Sequence, residues 1–343
     1  MPFRSTGRGR QMQDRPVVVI TGGTAGVGRA LARAYAHRGW RVAILARGQA
    51  GLAATAADVA RAGGEPLTLA ADVADSAAVF DAADRVVARW GRIDLWINNA
   101  MVTVFGPAER ATPEEYARVT AVTYLGTVHG TLAALRHMRP RDRGTILQIG
   151  SALAYRSIPL QAAYCAAKAA CRGFTDSLRS ELLHEKSRIR LTMAQLPAVD
   201  TPQFDWARTH VRGRPQPVPP IHTPEAVAEA IAAAARTAPR EIWIGAPSMQ
   251  AILGTMVAPG LMDRMMARSA WDSQIGPGDA RADNLMQPVE RDMGAAGRFG
   301  SEASDRVASL SGPTVRAGLA AGGVLVAGAA LTAAALLARR RDP

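Results

Sequence analysis

The chain has 343 residues, with 41 Lys and Arg against 29 Asp and Glu, and a net charge of +12. This length suits one large α/β domain with appended segments. The positive charge comes from arginines scattered without a long basic stripe, so we expect no nucleic-acid partner.

Cys165 and Cys171 lie six residues apart on one predicted helix. That spacing suits neither a disulfide framework nor a zinc site, so we predict no metal and a reducing, cytoplasmic location.

The N-terminal stretch predicts a strand, a glycine-rich turn and a helix. Residues 1–15 are polar and arginine-rich without the apolar stretch of a secretory signal, so we predict a disordered leader. Residues 16–20 are apolar and predict a short buried strand, and residues 29–38 follow as a helix. The turn between them contains Gly22, Gly26 and Gly28. Glycines at these positions permit a tight turn and the close approach of a pyrophosphate to the helix N-terminus.

The second predicted strand, residues 40–46, ends at Arg47. A protein that binds NAD is expected to carry an acidic residue about here, where it would bind the ribose 2′-hydroxyl. The planar fork of Arg47 suits a 2′-phosphate instead. We therefore predict NADP rather than NAD. The alternative is that Arg47 is one more solvated arginine in an arginine-rich chain.

Strands and helices continue to alternate along the chain. We predict strands at 67–71, 93–97 and 145–149, and helices at 76–90 and 113–139. Repeated βαβ units of this kind predict a parallel, doubly wound sheet that binds ligands at the carboxyl ends of its strands. Polar residues at these ends are Asp72, the pair Asn98 and Asn99, and Ser151.

Tyr164 and Lys168 are four residues apart in a segment with helical composition, which places both side chains on one face. Ser151 follows the predicted strand 145–149 and faces the same helix. A nearby ammonium would lower the pKa of the Tyr164 phenol, and Ser151 would hold a substrate oxygen against it. The alternative is a chance occurrence of the two residues on an ordinary helix.

Over residues 14–246 the chain closely resembles the short-chain dehydrogenase/reductase family. The resemblance rests on residues 21–28, Asp72, residues 98–100, Ser151, and the Tyr164 and Lys168 pair. It implies a Rossmann-like domain over 16–247 with about seven strands. In the family's pattern Tyr164 is the general acid/base, Lys168 binds the nicotinamide ribose, and Ser151 orients the substrate oxygen. The implied cofactor-binding residues are Gly22, Thr24, Gly26, Val27, Gly28, Arg47, Asp72, Val73, Asn98, Asn99, Ala100, Tyr164, Lys168, Pro197, Val199 and Thr201.

Three positions depart from the family's pattern. Thr123 stands where many members have an asparagine that supports a water in a proton relay, so Thr123 is a candidate for that role. Met101 replaces the common glycine after Ala100, and Ala198 replaces the glycine after Pro197. The resemblance also implies a homo-oligomer. The departures motivate an alternative function, a cofactor-binding, membrane-tethered scaffold with weak or lost catalysis.

Residues 202–222 are proline-rich and, by the resemblance, correspond in position to the family's substrate lid. Phe204 and Trp206 could line an apolar substrate pocket or anchor this loop, and we expect the second. The residues after 247 extend beyond the family's minimum. Residues 248–270 predict an amphipathic helical extension in two pieces, and residues 271–314 predict a flexible linker.

Residues 317–338 contain no charge and lie between Arg316 and the arginines at 339–341. As a helix this segment would span about 33 Å, enough for the hydrocarbon core of a bilayer. We predict a transmembrane anchor for a cytoplasmic catalytic domain. The predicted activity is an NADP(H)-dependent interconversion of a small-molecule carbonyl and a secondary alcohol.

Overall fold

The computed structural model describes residues 15–279 and 281–312, together with 314 and 317. Its core is one eight-stranded sheet in the order β8–β7–β6–β5–β4–β1–β2–β3. Seven strands are parallel, and β8 pairs with β7 in the antiparallel direction. The strands are β1 Val17–Thr21, β2 Arg41–Ala46, β3 Glu65–Ala70, β4 Leu95–Asn98, β5 Thr145–Ser151, β6 Arg190–Leu196, β7 Glu241–Ile244 and β8 Ser309–Ser311.

Helices cover both faces of this sheet, which is why the central strands are apolar along their whole length. Every residue of β1 is buried, with Val17 to Ile20 at 0 % exposure. The helices are α1 Gly26–His37, α2 Gln49–Arg61, α3 Ser76–Trp90, α4 Pro113–Val119, α5 Gly126–Met138, α6 Ala162–His184, α7 Gln203–Trp206, α8 Pro224–Thr237, α9 Ala246–Val257 and α10 Pro259–Ser269. The predicted doubly wound α/β fold is confirmed.

The strand order reverses at β1, which has β2 on one side and β4 on the other. A crevice therefore opens beyond the carboxyl ends of β1 and β4, because their connections run to opposite faces. The predicted helix 113–139 lies beside this crevice, but it is not one regular helix. A π-helical segment, Thr120–Leu125, separates α4 from α5. Such insertions occur frequently at functional sites.

The region predicted as a flexible linker, residues 271–314, differs from that expectation. Leu285, Ala295 and Phe299 are buried, β8 extends the main sheet, and Ala303–Ser304 pairs with Ile221–His222. Main-chain and side-chain hydrogen bonds hold most of the segment against the domain. It therefore needs few apolar residues and shows little periodicity in its sequence. Composition alone therefore indicated a linker where the structure has a packed extension.

Two predicted segments fall mainly outside the described residues. Residues 1–14 of the predicted leader lie there, as does the predicted transmembrane segment 317–338 apart from Ala317. Within the part of the chain that the structure describes, no helix combines the length and apolar character needed to cross a membrane.

Candidate active site

The glycine turn between β1 and α1 is built for close backbone approach. Gly22 has a φ of +64°, and a Cβ placed on it would lie 2.7 Å from the Cα of Ala100. A Cβ on Gly28 would lie 2.3 Å from the carbonyl oxygen of Gly22. Both positions therefore require glycine, Gly22 for its backbone conformation and both for space. The turn places the N-terminus of α1 at the wall of the crevice, a geometry that suits the pyrophosphate of a dinucleotide.

The adjacent asparagines have different roles. Asn99 lines the crevice, and its Nδ2 donates to the carbonyl oxygens of Thr21 and Gly22, each at 3.0 Å. Asn98 is buried at the end of β4, where its amide donates to Thr131 and Gln148 and its Oδ1 accepts from Trp96. The structure thus assigns Asn98 to a buried hydrogen-bond network rather than to cofactor contact. Successive strand residues point to opposite faces, which accounts for the difference.

Arg47 and Asp72 lie at the end of the crevice beyond β2 and β3. The Asp72 carboxylate accepts from Arg118 at 2.5 Å and from the Ala74 amide at 3.0 Å. The Arg47 guanidinium donates to the carbonyl oxygens of three C-terminal residues, Asn284, Leu285 and Met286. Burial lowers the pKa of Arg47, and the negative charge of Asp72 opposes that effect.

Ser151, Tyr164 and Lys168 converge at the other end of the crevice. Ser151 is the last residue of β5, and its Oγ accepts from the Leu153 amide at 3.1 Å. The Tyr164 hydroxyl is hydrogen-bonded to Ser151. Lys168, one turn further along α6, is buried, and its Nζ donates to the Ile149 carbonyl oxygen at 2.6 Å and lies 5.7 Å from the centre of the Tyr164 ring.

The electrostatics of this trio differ from the sequence-based expectation. Burial raises the pKa of Tyr164, and the hydrogen bond to Ser151 opposes the rise only in part. Burial likewise lowers the pKa of Lys168. Desolvation thus dominates the pKa of Tyr164, and the phenol is neutral at physiological pH. The neutral phenol is the form that can donate a proton.

Thr123 does not reach the crevice. Its Oγ1 donates to the Val102 carbonyl oxygen at 3.0 Å and accepts from the Val102 amide at 3.2 Å. Its own carbonyl oxygen accepts from Thr127 and Cys171. The residue is fully buried in the π-helical segment. Its hydroxyl therefore holds the main chain after β4 in place, so the expectation that Thr123 takes part in a proton relay is not supported by its position.

One continuous cleft of about 750 Å³ runs from Arg47 and the glycine turn to the trio of Ser151, Tyr164 and Lys168. Beyond β6 its wall includes Pro197, Val199 and Thr201. In all, the predicted residues that line the cleft are Gly22, Thr24, Gly26, Val27, Arg47, Asp72, Val73, Asn99, Ala100, Ser151, Tyr164, Lys168, Pro197, Val199 and Thr201. Met101, the departure after Ala100, lines it as well. A long dinucleotide with the glycine turn at its pyrophosphate fits this shape.

Several lining residues were not identified from the sequence. The methionines of α10 (Met262, Met265 and Met266) face the cleft near Tyr164, and residues 284–293 contribute to its wall near the glycine turn. The helical spacing of the methionines was visible, but packing on the core explained it equally well. Phe204 lines the cleft and also packs against Phe105 and Phe299, so it combines the lining and anchoring roles.

A doubly wound sheet with a dinucleotide-shaped cleft and a Ser, Tyr and Lys trio defines a class of protein, the nicotinamide-dependent oxidoreductases. Comparison with known proteins agrees. The family model described as short chain dehydrogenase matches residues 16–211. The chain belongs to the short-chain dehydrogenase/reductase family and is an NAD(P)-dependent enzyme of that family.

Two curated relatives extend the similarity beyond the matched domain. The chain is 34 % identical over 268 residues to the uncharacterized oxidoreductase YxnA of Bacillus subtilis, covering 77 % of this chain and 75 % of that protein. It is 32 % identical over 272 residues to dehydrogenase/reductase SDR family member 7B of Bos taurus, covering 74 % and 81 % respectively.

Among solved structures, a metagenomic short-chain oxidoreductase in complex with NADP is similar to this one. The TM-score is 0.54 at 29 % identity, and the match covers 64 % of this chain and 90 % of that one.

Proposed function

We propose that this enzyme interconverts a carbonyl compound and a secondary alcohol, using NADP(H) as its cofactor and Tyr164 as the general acid/base. The observation that carries the proposal is the convergence of Ser151, Tyr164 and Lys168 at one end of a cleft whose other end is the glycine turn. When bound, the cofactor supplies or accepts the hydride.

The chain's own residues account for the proton and for orientation. In the reduction direction the neutral Tyr164 phenol donates its proton to the substrate oxygen, and the Ser151 hydroxyl holds that oxygen in place. Lys168 uses one N–H on the Ile149 carbonyl oxygen and retains two further donors, which suit ribose hydroxyls. In the oxidation direction Tyr164 must first lose its proton and then accepts the proton of the alcohol.

Two observations support NADP over NAD. Strand β2 ends in Ala46 and is followed by Arg47, without the carboxylate that would bind a ribose 2′-hydroxyl. Arg47 lines the cleft at that end. A guanidinium matches a phosphate through paired hydrogen bonds, so Arg47 is the residue that we expect to bind the 2′-phosphate.

The walls around Tyr164 support an uncharged, largely apolar substrate. Lining residues from 216 to 274, all of them described, include no charged side chain. Pro217, Val218 and the methionines of α10 supply apolar surface, and Gln161 and Gln274 are hydrogen-bonded to each other at 2.7 Å. Methionine side chains adapt to irregular apolar shapes, so a bulky hydrophobic ketone or alcohol fits this end best.

Tyr164→Phe tests the catalytic assignment. We expect turnover of apolar ketones with NADPH to fall by about a hundredfold or more, because proton transfer is lost, while NADPH binding measured by fluorescence titration is retained. Tyr116→Phe is the matched control, since the Tyr116 hydroxyl donates to the Ala108 carbonyl oxygen and is not among the described residues that line the cleft. Undiminished turnover in Tyr164→Phe would refute the mechanism. If the wild-type enzyme and Tyr164→Phe both bound NADPH but neither turned over any substrate, the alternative function, a binding or scaffold protein, would be favoured.

Membrane anchoring through 317–338 and assembly into a homo-oligomer stay predictions of the sequence. The anchor is testable in the full chain by carbonate extraction of membranes, from which an inserted protein is not released. Recovery of the whole protein in the extract would contradict the anchor.

A further inference from the structure

Residues 284–294, hereafter the strap, cross the outer edge of the cofactor cleft. Three successive main-chain carbonyl oxygens of the strap accept hydrogen bonds from the Arg47 guanidinium. The distances are 2.5 Å to Asn284, 3.4 Å to Leu285 and 3.1 Å to Met286. The donors that we expect to bind a 2′-phosphate are thus already used by the protein itself.

The strap also engages the main-chain donors beside Arg47. The Glu290 carboxylate accepts from the amides of Gln49 at 3.1 Å and Ala50 at 3.5 Å, at the N-terminus of α2. Only Gly48 separates these amides from Arg47 along the chain, so the guanidinium and the helix end form one positive corner of the cleft. Glu290 is the only carboxylate within the described strap that lies on this corner, where its charge stands in for that of a phosphate.

At its other end the strap reaches the glycine turn. The Gly26 amide donates to the Gly294 carbonyl oxygen at 3.3 Å, and Asp292 pairs with Arg29 of α1. Leu285 is fully buried among core residues. The strap is therefore held on one side of Glu290 by the packing of Leu285 and on the other by the Asp292–Arg29 ion pair, and its position is specific.

We propose that Glu290 and the strap determine how the enzyme discriminates between NADPH and NADH. The 2′-phosphate of NADPH must displace the Glu290 carboxylate and take Arg47 from the strap carbonyls. NADH has no phosphate at this position, so Arg47 and the N-terminus of α2 keep their contacts with the strap; competition at the Gly26 amide is the same for both cofactors. Glu290 thus selectively weakens the binding of the phosphorylated cofactor. This inference rests on the cofactor site of the proposed function.

Glu290→Gln tests the proposal, because it keeps the size and an acceptor oxygen but removes the charge. We expect the Kd of NADPH to fall about fivefold, the factor produced by roughly 1 kcal/mol, while the Kd of NADH changes by less than about twofold. Adenosine 2′,5′-bisphosphate and 5′-AMP serve as shorter probes and should show the same contrast. Glu302→Gln is the matched control, since Glu302 is exposed in the same C-terminal region away from the cleft.

The outcomes separate clearly. An unchanged NADPH to NADH affinity ratio in Glu290→Gln, equal tightening of both cofactors, or weaker NADPH binding would each overturn the role of Glu290. If neither dinucleotide bound the wild-type enzyme or any variant, the proposed function itself would fail instead.

Amide hydrogen exchange on the wild-type enzyme provides a test that needs no variant. With NADPH bound, we expect faster exchange across residues 284–294, because the phosphate releases the strap from Arg47 and α2. With NADH bound, exchange across residues 284–290, which contact Arg47 and α2, should match that of the free enzyme. Slower exchange with NADPH would mean that the strap closes onto the phosphorylated cofactor, and the proposal would be rejected.

Discussion

Tyr164 lies in a setting where two physical effects oppose each other. The Ser151 side chain lowers the pKa of the phenol, whereas enclosure in the cleft raises it, and enclosure dominates. The direction of this shift has a consequence for pH. Because a raised pKa keeps the phenol protonated over a wider range, the acid needed for reduction is present at neutral and mildly alkaline pH, and the base needed for oxidation is scarce there.

We therefore predict different pH profiles for the two directions. From about pH 6 to 9, kcat/KM for ketone reduction should be nearly flat, and kcat/KM for alcohol oxidation should rise about tenfold per pH unit. Steady-state kinetics at constant ionic strength would measure both. A plateau in the oxidation profile near pH 7 would show that the pKa of Tyr164 is lowered rather than raised.

Gly28 contributes through space alone, because its backbone conformation does not require glycine. A Cβ at this position would lie 2.3 Å from the Gly22 carbonyl oxygen and 2.5 Å from the side-chain Nδ2 of Asn99. Neither atom can move freely, because Nδ2 is hydrogen-bonded to the main chain of the same turn. We predict that Gly28→Ala lowers the free energy of unfolding by about 1–3 kcal/mol and weakens dinucleotide binding. Chemical denaturation and titration with NADPH would measure the two effects.

Gly173 provides the matched control for that substitution. It lies within α6, and a Cβ there would meet no atom within 4 Å. Gly173→Ala should raise the free energy of unfolding by up to about 1 kcal/mol, since alanine is the better helix former. If the two variants behaved alike, the steric explanation for Gly28 would be wrong.

At the scale of elements, regular strands and helices were predictable and irregular packing was not. Helix 76–90 coincides with its predicted bounds, because it has a clear apolar period and a clear end. The π-helical segment and the strap have no such period. Thr123 and Asn98 likewise matched motif positions, but their side chains are used by local hydrogen bonds that only the folded chain shows.

The strap gives a prediction at this scale. Leu285 is 0 % exposed and belongs to the main hydrophobic cluster, whereas Leu310 of β8 is 47 % exposed. Leu285→Ala should therefore lower the free energy of unfolding by about 2–4 kcal/mol, and Leu310→Ala by less than about 0.5 kcal/mol. Urea denaturation would measure both. Equal, small losses would mean that residues 281–312 behave as the linker that composition suggested.

At the scale of the whole molecule, the cleft joins parts of the chain that are far apart in sequence. The glycine turn, β5, α6, α10 and the strap all contribute to one cavity. A ligand that binds only this folded arrangement stabilises all of it, by about 2.7 kcal/mol when its free concentration is a hundredfold above Kd. Thermal unfolding of the entire domain therefore reports cofactor preference without any need for a substrate.

This linkage gives a test of the Arg47 assignment. At one fixed concentration we expect NADPH to raise the Tm of the wild-type enzyme. Arg47→Ala should lose at least about half of that stabilisation, because a charge-assisted phosphate contact is removed. The shift produced by NADH should be equal in both proteins. Each shift is compared with the Tm of the same protein without nucleotide, which corrects for the change in stability of the free protein when the strap contacts are lost. Equal losses for the two cofactors would show that Arg47 does not recognise the 2′-phosphate.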